Sequence, residues 1–353
     1  MSRAEMKGKA QTVLGPVDGR DLGVTLPHEH VFIDLGVWFI EPQTATKKHL
    51  SLQLLSRDHP DMGFFRFNPY CNKDNMVQLD EREAVEELQR FKNAGGGTVV
   101  CCSSDNLARD PDGLCRVSRA TGLNIIMGSG YYVGASQDQS FDAKSVEEIA
   151  QEIIRDVTVG VGPSKVKSGL IGELGCSWPL DEREKKTLQA AGKAQQATGA
   201  PINVHPGRHE ESPIQTLRIL EKAGADLSRV IMSHMDRTPF SLERRLEMAA
   251  TGCVLEYDCF GNEGYYPTEL AVAHMPNDVG RIKEIIELKD RGYLGQVFVS
   301  HDICYKTRRY TYGGHGFAHI LENTVPVMRC WGISDEEIKT IMVDNPRRLF
   351  SFV

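Results

Sequence analysis

GVTLPHEH, residues 23–30, joins a short apolar run to two histidines one residue apart. Side chains alternate along an extended chain, so His28 and His30 fall on one side and are able to share a ligand. On its own H-x-H is a weak signal, because loop backbone satisfies two polar residues at a strand end just as well. The pattern gains weight by recurring. His205 closes the run in "INVHPG", His234 closes "IMSHMD", Asp302 follows "VFVS", and Glu173 interrupts "GLIGELG". Four imidazoles and two carboxylates make the donor set of a borderline cation such as zinc. One architecture brings such scattered positions together: the C-terminal rim of a parallel barrel, where the ends of different strands meet.

The rest of the chain is consistent with that barrel. Strand-like runs occur at Gly23–Leu26, Thr98–Cys102, Asn124–Gly128, Gly169–Leu174, Pro201–Val204, Arg229–Ser233, Cys253–Tyr257 and Gln296–Ser300. Most lack polar alternation, as strands covered on both faces should. Helical signals separate them: Asp80 with Glu83, Asp181 with Glu184, and Ser334 with Glu337 each have the spacing of a capping box. Eight βα units predict an α/β protein, a (β/α)8 TIM barrel occupying residues 1–353 as one domain. The exception is Leu35–Leu79, some 45 residues of weak periodicity after the first strand. A long irregular segment in a compact domain is usually functional. Leaving the barrel just after the histidine pair, residues 35–79 are expected to form an inserted lid over the site.

Composition narrows the function. With 353 residues, 41% hydrophobic and 25% charged, the chain has the make-up of an ordinary globular protein, long enough to bury a large core. A net charge of −7, with no basic stripe interleaved with aromatics, argues against nucleic acid as a partner. No apolar stretch of about 18 residues exists to span a membrane. The amino terminus lacks the apolar core of a signal peptide, and the nine cysteines contain no C-x-x-C pair. A cytoplasmic protein with reduced thiols is expected.

Each candidate ligand has an ordinary reading beside the metal one. Glu173 in an apolar strand is also explained by pairing with an arginine across the barrel, Asp302 by capping the next helix, and each lone histidine by core packing. Their joint occurrence at six rim positions favours a binuclear centre, with Glu173 donating one oxygen to each ion. Around it the sequence supplies Arg109, Tyr132, Arg237, Tyr257 and Lys306 as candidate substrate-binding residues, with Tyr131, Arg208, Arg308 and Tyr310 as further rim candidates. Many are cationic on an acidic protein, which suggests a small substrate with an anionic group. Arg237, three residues beyond His234, is the strongest of them, since a guanidinium clamps a carboxylate or sulfonate through paired hydrogen bonds.

These motifs, from "TVLGPVDGRDLGVTLPHEH" through "GELG" and "VSHD" to "NPRRLF", resemble the phosphotriesterase family of the amidohydrolase superfamily, its eukaryotic branch most of all. The resemblance spans essentially the whole chain. It implies that His28, His30 and Asp302 hold the more buried of two divalent ions, zinc being the first expectation, and His205 and His234 the more exposed one. Glu173 stands where many bacterial members carry a carbamylated lysine. Cys259 and Arg237 stand where phosphotriesterases place a proton-relaying histidine and aspartate, so efficient phosphotriesterase activity is not implied.

The resemblance further implies hydrolysis of a linear amide, N-acetyltaurine to taurine and acetate. A hydroxide shared by the two ions would attack the carbonyl, and Asp302 and Glu173 would be the catalytic residues. Asp302 is placed to take the nucleophile's proton and deliver it to the departing nitrogen. The family also suggests a homodimer. The alternatives are a lactonase or carboxylesterase using the same metals, a weak phosphotriesterase, and a metal-holding barrel that has lost catalysis.

Overall fold

The apolar runs become parallel strands because their side chains are buried on both faces, inside the barrel and beneath the helices. The computed structural model describes residues 3–238, 241–262 and 275–353. The single-barrel expectation for residues 1–353 includes 1–2, 239–240 and 263–274, which lie outside the described residues. An antiparallel hairpin, β1 (Lys9–Thr12) and β2 (Gly15–Asp18), precedes the first barrel strand, β3 (Val24–Glu29). A two-residue ribbon, β4 (Ile33–Asp34) with β5 (Val77–Gln78), frames the insert. The barrel continues with β6 (Gly96–Cys101), β7 (Asn124–Met127), β8 (Ile171–Gly175), β9 (Ile202–His205), β10 (Val230–Met232), β11 (Val254–Tyr257) and β12 (Val297–Val299).

Two parallel arcs form, β3-β6-β7 and β8-β9-β10-β11-β12. Individual hydrogen bonds close them into a barrel. Gly169 N donates to Met127 O (3.0 Å) on one side, and Asp302 N to His28 O (3.2 Å) on the other. Period-two alternation sorts the side chains. Val100, Ile126, Ile231, Val254 and Phe298 fill the interior, while Val99, Ile125, Val230, Leu255 and Val297 pack in the layer beneath the helices.

The capping signals are used as read. Asp80 accepts from Glu83 N at the start of Glu81–Asn93, and full capping boxes open Glu182–Thr198 and Asp335–Lys339. Residues 35–79 form 3-10 turns and the short helix Met62–Phe67, with a small core of their own around Leu50, Leu55 and Phe65. A second cluster, including Leu35, Tyr70 and Met76, joins the insert to Tyr132 and Cys304 on the barrel loops. Among the described residues no helix is long and apolar enough to cross a membrane.

Candidate metal centre

β3 runs on past Leu26 to Glu29, which carries His28 to the top of the barrel interior. His28 Nδ1 lies 3.0 Å from Glu256 Oε2 and 3.1 Å from Ser233 Oγ. Its Nε2 is buried without a hydrogen-bond partner among the described residues, 3.5 Å from Glu173 Oε2 and 3.9 Å from Asp302 Oδ1. A buried ring nitrogen without a partner is what an imidazole awaiting a cation presents.

His30 is oriented from behind as well. The Ser103 hydroxyl donates to Phe32 O (2.5 Å), so it accepts from His30 Nδ1 (2.9 Å). That leaves the Nε2 lone pair facing Asp302 Oδ1 (3.2 Å) and Glu173 Oε1 (3.6 Å). His234 Nδ1 bonds Asp258 Oδ1 (2.8 Å) while its Nε2 meets His205 Nδ1 at 2.8 Å. Glu173 sits between the pairs: Oε1 faces His30, and Oε2 lies 3.1 Å from His205 Nδ1 and 3.5 Å from His234 Nε2. Two triads, His28–His30–Asp302 and His28–Glu173–His234, have ligand atoms mutually within 4.8 Å. The structure thus brings all six expected ligand residues to one place, in an arrangement able to hold a metal ion.

Backbone and charge at these residues are unusual as well. His234 and Asp302 adopt left-handed conformations, φ 59° and 53°, which cost non-glycine residues about 1 kcal/mol or more each. Asp302 is held in it by neighbours. Arg308 donates to the carbonyls of His301, Asp302 and Phe260. Glu29, the middle residue of the HEH motif, accepts from His301 Nδ1 (2.7 Å), His301 N (2.9 Å) and Ile303 N (3.1 Å).

Burial pushes the Glu173 carboxyl up, but His205, His234 and His28 outweigh it and hold it well below the usual carboxylate range. Burial lowers His205 to about 4, with Arg237 and Arg208 adding to the effect against Glu173, so the ring is neutral, as a ligand must be. His28 is the opposite case. Burial disfavours its cation, yet Asp258, Glu173 and Glu256 reverse that and call for a positive charge at this position. These N and O donors fit a divalent borderline cation.

The centre opens into a small cavity, walled by Tyr132, Arg208, Arg237 and Cys304 from the barrel and by Leu35, Trp38 and Tyr70 from the insert. The Arg208 guanidinium lies 4.8 Å over the Trp38 ring. The indole N–H donates to Tyr132 OH (3.1 Å), itself 3.4 Å from His205 Nδ1. Arg237 Nη2 lies 3.4 Å from His205 Nε2. Of the candidate substrate residues, Arg237 and Tyr132 therefore face the cavity.

The other three expectations need correction. Tyr257 is buried on the outer face of β11, beside Glu284 and Arg245, because it alternates with the inward Glu256. Arg109 turns away to Asp156 (3.1 Å) and Gly128 O, and Lys306 pairs with Asp74 (2.7 Å) in the insert. Among the further rim candidates, Arg208 lines the cavity, Tyr131 bonds Glu152 and Lys144, Arg308 is spent on loop carbonyls, and Tyr310 stacks under Arg90. Sequence reading passed over Glu256 and Asp258. Their signal was present in "VLEYD", where acids interrupt an apolar strand at interior positions, as Glu173 does.

Comparison with known proteins agrees over the full length. Residues 8–350 match the phosphotriesterase family. An N-acetyltaurine hydrolase from Xenopus tropicalis is 40% identical over 350 residues, covering 99% of both chains. A phosphotriesterase-related protein from Nematostella vectensis is 41% identical over 354 residues, covering 98% of this chain and 99% of that one. Among solved structures, a resiniferatoxin-binding protein from Rhodobacter sphaeroides superposes with a TM-score of 0.93 at 33% identity, covering 98% and 95% of the two chains.

Proposed function

The chain belongs to the phosphotriesterase family and is a hydrolase of that family, and from this premise we propose that it is a binuclear, metal-dependent amidase acting on a small anionic N-acyl substrate, N-acetyltaurine first. The observation that carries the reading is the meeting of six N and O donors, one of them the unpartnered His28 Nε2, beside a small cavity walled by two guanidiniums. His28, His30 and Asp302 would hold one ion and His205 and His234 the other, with Glu173 shared between them. Two divalent ions held there, taken as zinc, would supply Lewis acidity and acidify a water to near neutrality.

This chain's own residues do the rest. Arg237, with Arg208 beside Trp38, holds the substrate's anionic end, fixing the carbonyl over the centre. The Asp302 carboxylate, held ionised chiefly against burial by His30, receives the proton of the attacking water. It then delivers that proton to the departing amide nitrogen, without which an amine leaves poorly. Cys259 is buried against Asp258, so no imidazole stands there to carry the proton away from the site. Tyr132, kept neutral because burial pushes its phenol far up, braces His205. The insert at 35–79 acts as a lid whose Trp38, Leu35 and Tyr70 exclude water and limit the size of the acyl group.

The test is release of taurine and acetate from N-acetyltaurine by purified, metal-assayed protein, with His28→Ala as control. Release by the wild type alone supports the proposal. Intact amide with two ions bound, together with turnover of a lactone and ester panel, would replace it with the lactonase reading.

A further inference from the structure

Behind the metal centre lies a buried acid that the mechanism does not use. Glu256 points into the barrel from β11, one layer beneath the metal centre and fully buried. Its Oε2 lies 3.0 Å from His28 Nδ1, 2.7 Å from Ser233 Oγ and 2.9 Å from Asn203 Nδ2. Its Oε1 has no hydrogen-bond partner among the described residues, and the interior beneath it is lined by Val254, Ile231 and Phe298. A half-served carboxylate above an apolar core is costly unless a positive charge stands close by. No lysine or arginine bonds to it among the described residues. What it faces is the His28 ring and, through that ring, the cation the ring would hold.

The ring supplies the link. With Nδ1–H directed at Glu256, the His28 lone pair lies on Nε2, the atom without a partner that faces Glu173 and Asp302. A carboxylate behind an imidazole fixes the tautomer, aims the ring and makes the opposite nitrogen a stronger donor. Asp258 is a poorer candidate for this role at His28. Its Oδ1 is committed to His234 at 2.8 Å, and Oδ2 reaches His28 Nδ1 only at 3.3 Å.

We propose that Glu256 is a positioning residue for the ion held by His28, and that its negative charge, beyond its shape, sets how tightly that ion is bound. The inference rests on the metal-centre reading above. Asn203 and Ser233 hold the carboxylate in place from the neighbouring strands.

The experiment measures Zn²⁺ affinity by chelator competition and melting temperature with and without Zn²⁺, for wild type, Glu256→Gln and Glu256→Asp. In Glu256→Gln one of the two ions should bind about 10–100-fold more weakly, and the Zn²⁺-dependent rise in melting temperature should shrink. Melting the metal-free Gln variant beside the metal-free wild type separates a loss of packing from a loss of metal binding. Glu256→Asp keeps the charge and should recover part of the affinity, and it still reports if the Gln variant does not fold. Zn²⁺ affinity of the Gln variant within twofold of wild type would overturn the proposal, as would an Asp variant that binds no better than Gln. A metal-free stability loss with unchanged affinity would make Glu256 merely structural. If the wild type itself binds no Zn²⁺, the metal-centre reading falls first.

Discussion

At the scale of single residues, the centre depends on groups that never touch substrate. Asp302 sits in a left-handed conformation, and Glu29 holds the loop around it through three bonds to residues 301 and 303. Glu29→Gln keeps the volume but turns an acceptor of backbone N–H groups into a donor. It should lower kcat by about 10²-fold with little change in KM, since a displacement of about 1 Å in a reacting group costs that much. Steady-state kinetics on folded, metal-loaded variant would check it; an unchanged kcat would mean that the loop holds itself. Arg237 makes a different prediction. Arg237→Met should cost about 10–100-fold in kcat/KM toward an anionic amide, the worth of a hydrogen bond to a charged group, and leave a neutral ester of similar size almost untouched. Equal losses on both substrates would place Arg237 in the support of His205.

At the scale of elements, strand parity decides what faces the site. Glu256 and Tyr257 are neighbours on β11, yet one lies under His28 and the other under the helix Asp278–Lys289, beside Glu284. Burial pushes the Glu284 carboxyl up to about 7, against the pull of Arg245. Between about 4.5 and 7 the folded chain keeps a proton that the unfolded chain has lost, so stability is present below that window and is lost as pH rises through 7. Glu284→Gln removes the linkage. The wild-type melting temperature should fall relative to the variant between pH 6 and pH 8, and a constant difference across that range would contradict the assignment.

Much of this was legible in the sequence. Apolar runs located the eight barrel strands among the described residues, because burial on both faces leaves so plain a mark, but not the short ribbons β1–β2 and β4–β5. The six donors were legible because histidine and acid at the end of an apolar run are costly without a reason. Parity was available too: counting by two from Val254 leads to Glu256 and Asp258 inside and Tyr257 outside. Arg109 and Lys306 were not predictable in this way. Loop side chains follow no period, and each of these two found an acid, Asp156 and Asp74, that only the fold brings near. The wall formed by Trp38 and Tyr70 was out of reach for the same reason, since an irregular insert does not announce which of its aromatics will turn inward.

At the scale of the whole molecule, the barrel is a frame that holds like and unlike charges closer than water would allow. Glu173, Asp302, Glu256 and Asp258 crowd around four imidazoles, all buried in the barrel except Asp302, which is partly so. Such a cluster is stable when cations complete it, and ligands that bind only the folded state add RT ln(1 + [L]/Kd) to stability. The most direct test is to strip the protein with a chelator and titrate Zn²⁺ back, following amide hydrolysis and melting temperature together. Both should rise and level off at two equivalents per chain, with no hydrolysis in the stripped protein. Full activity without metal, or two ions bound and stabilising with no hydrolysis of any small anionic amide, would contradict it.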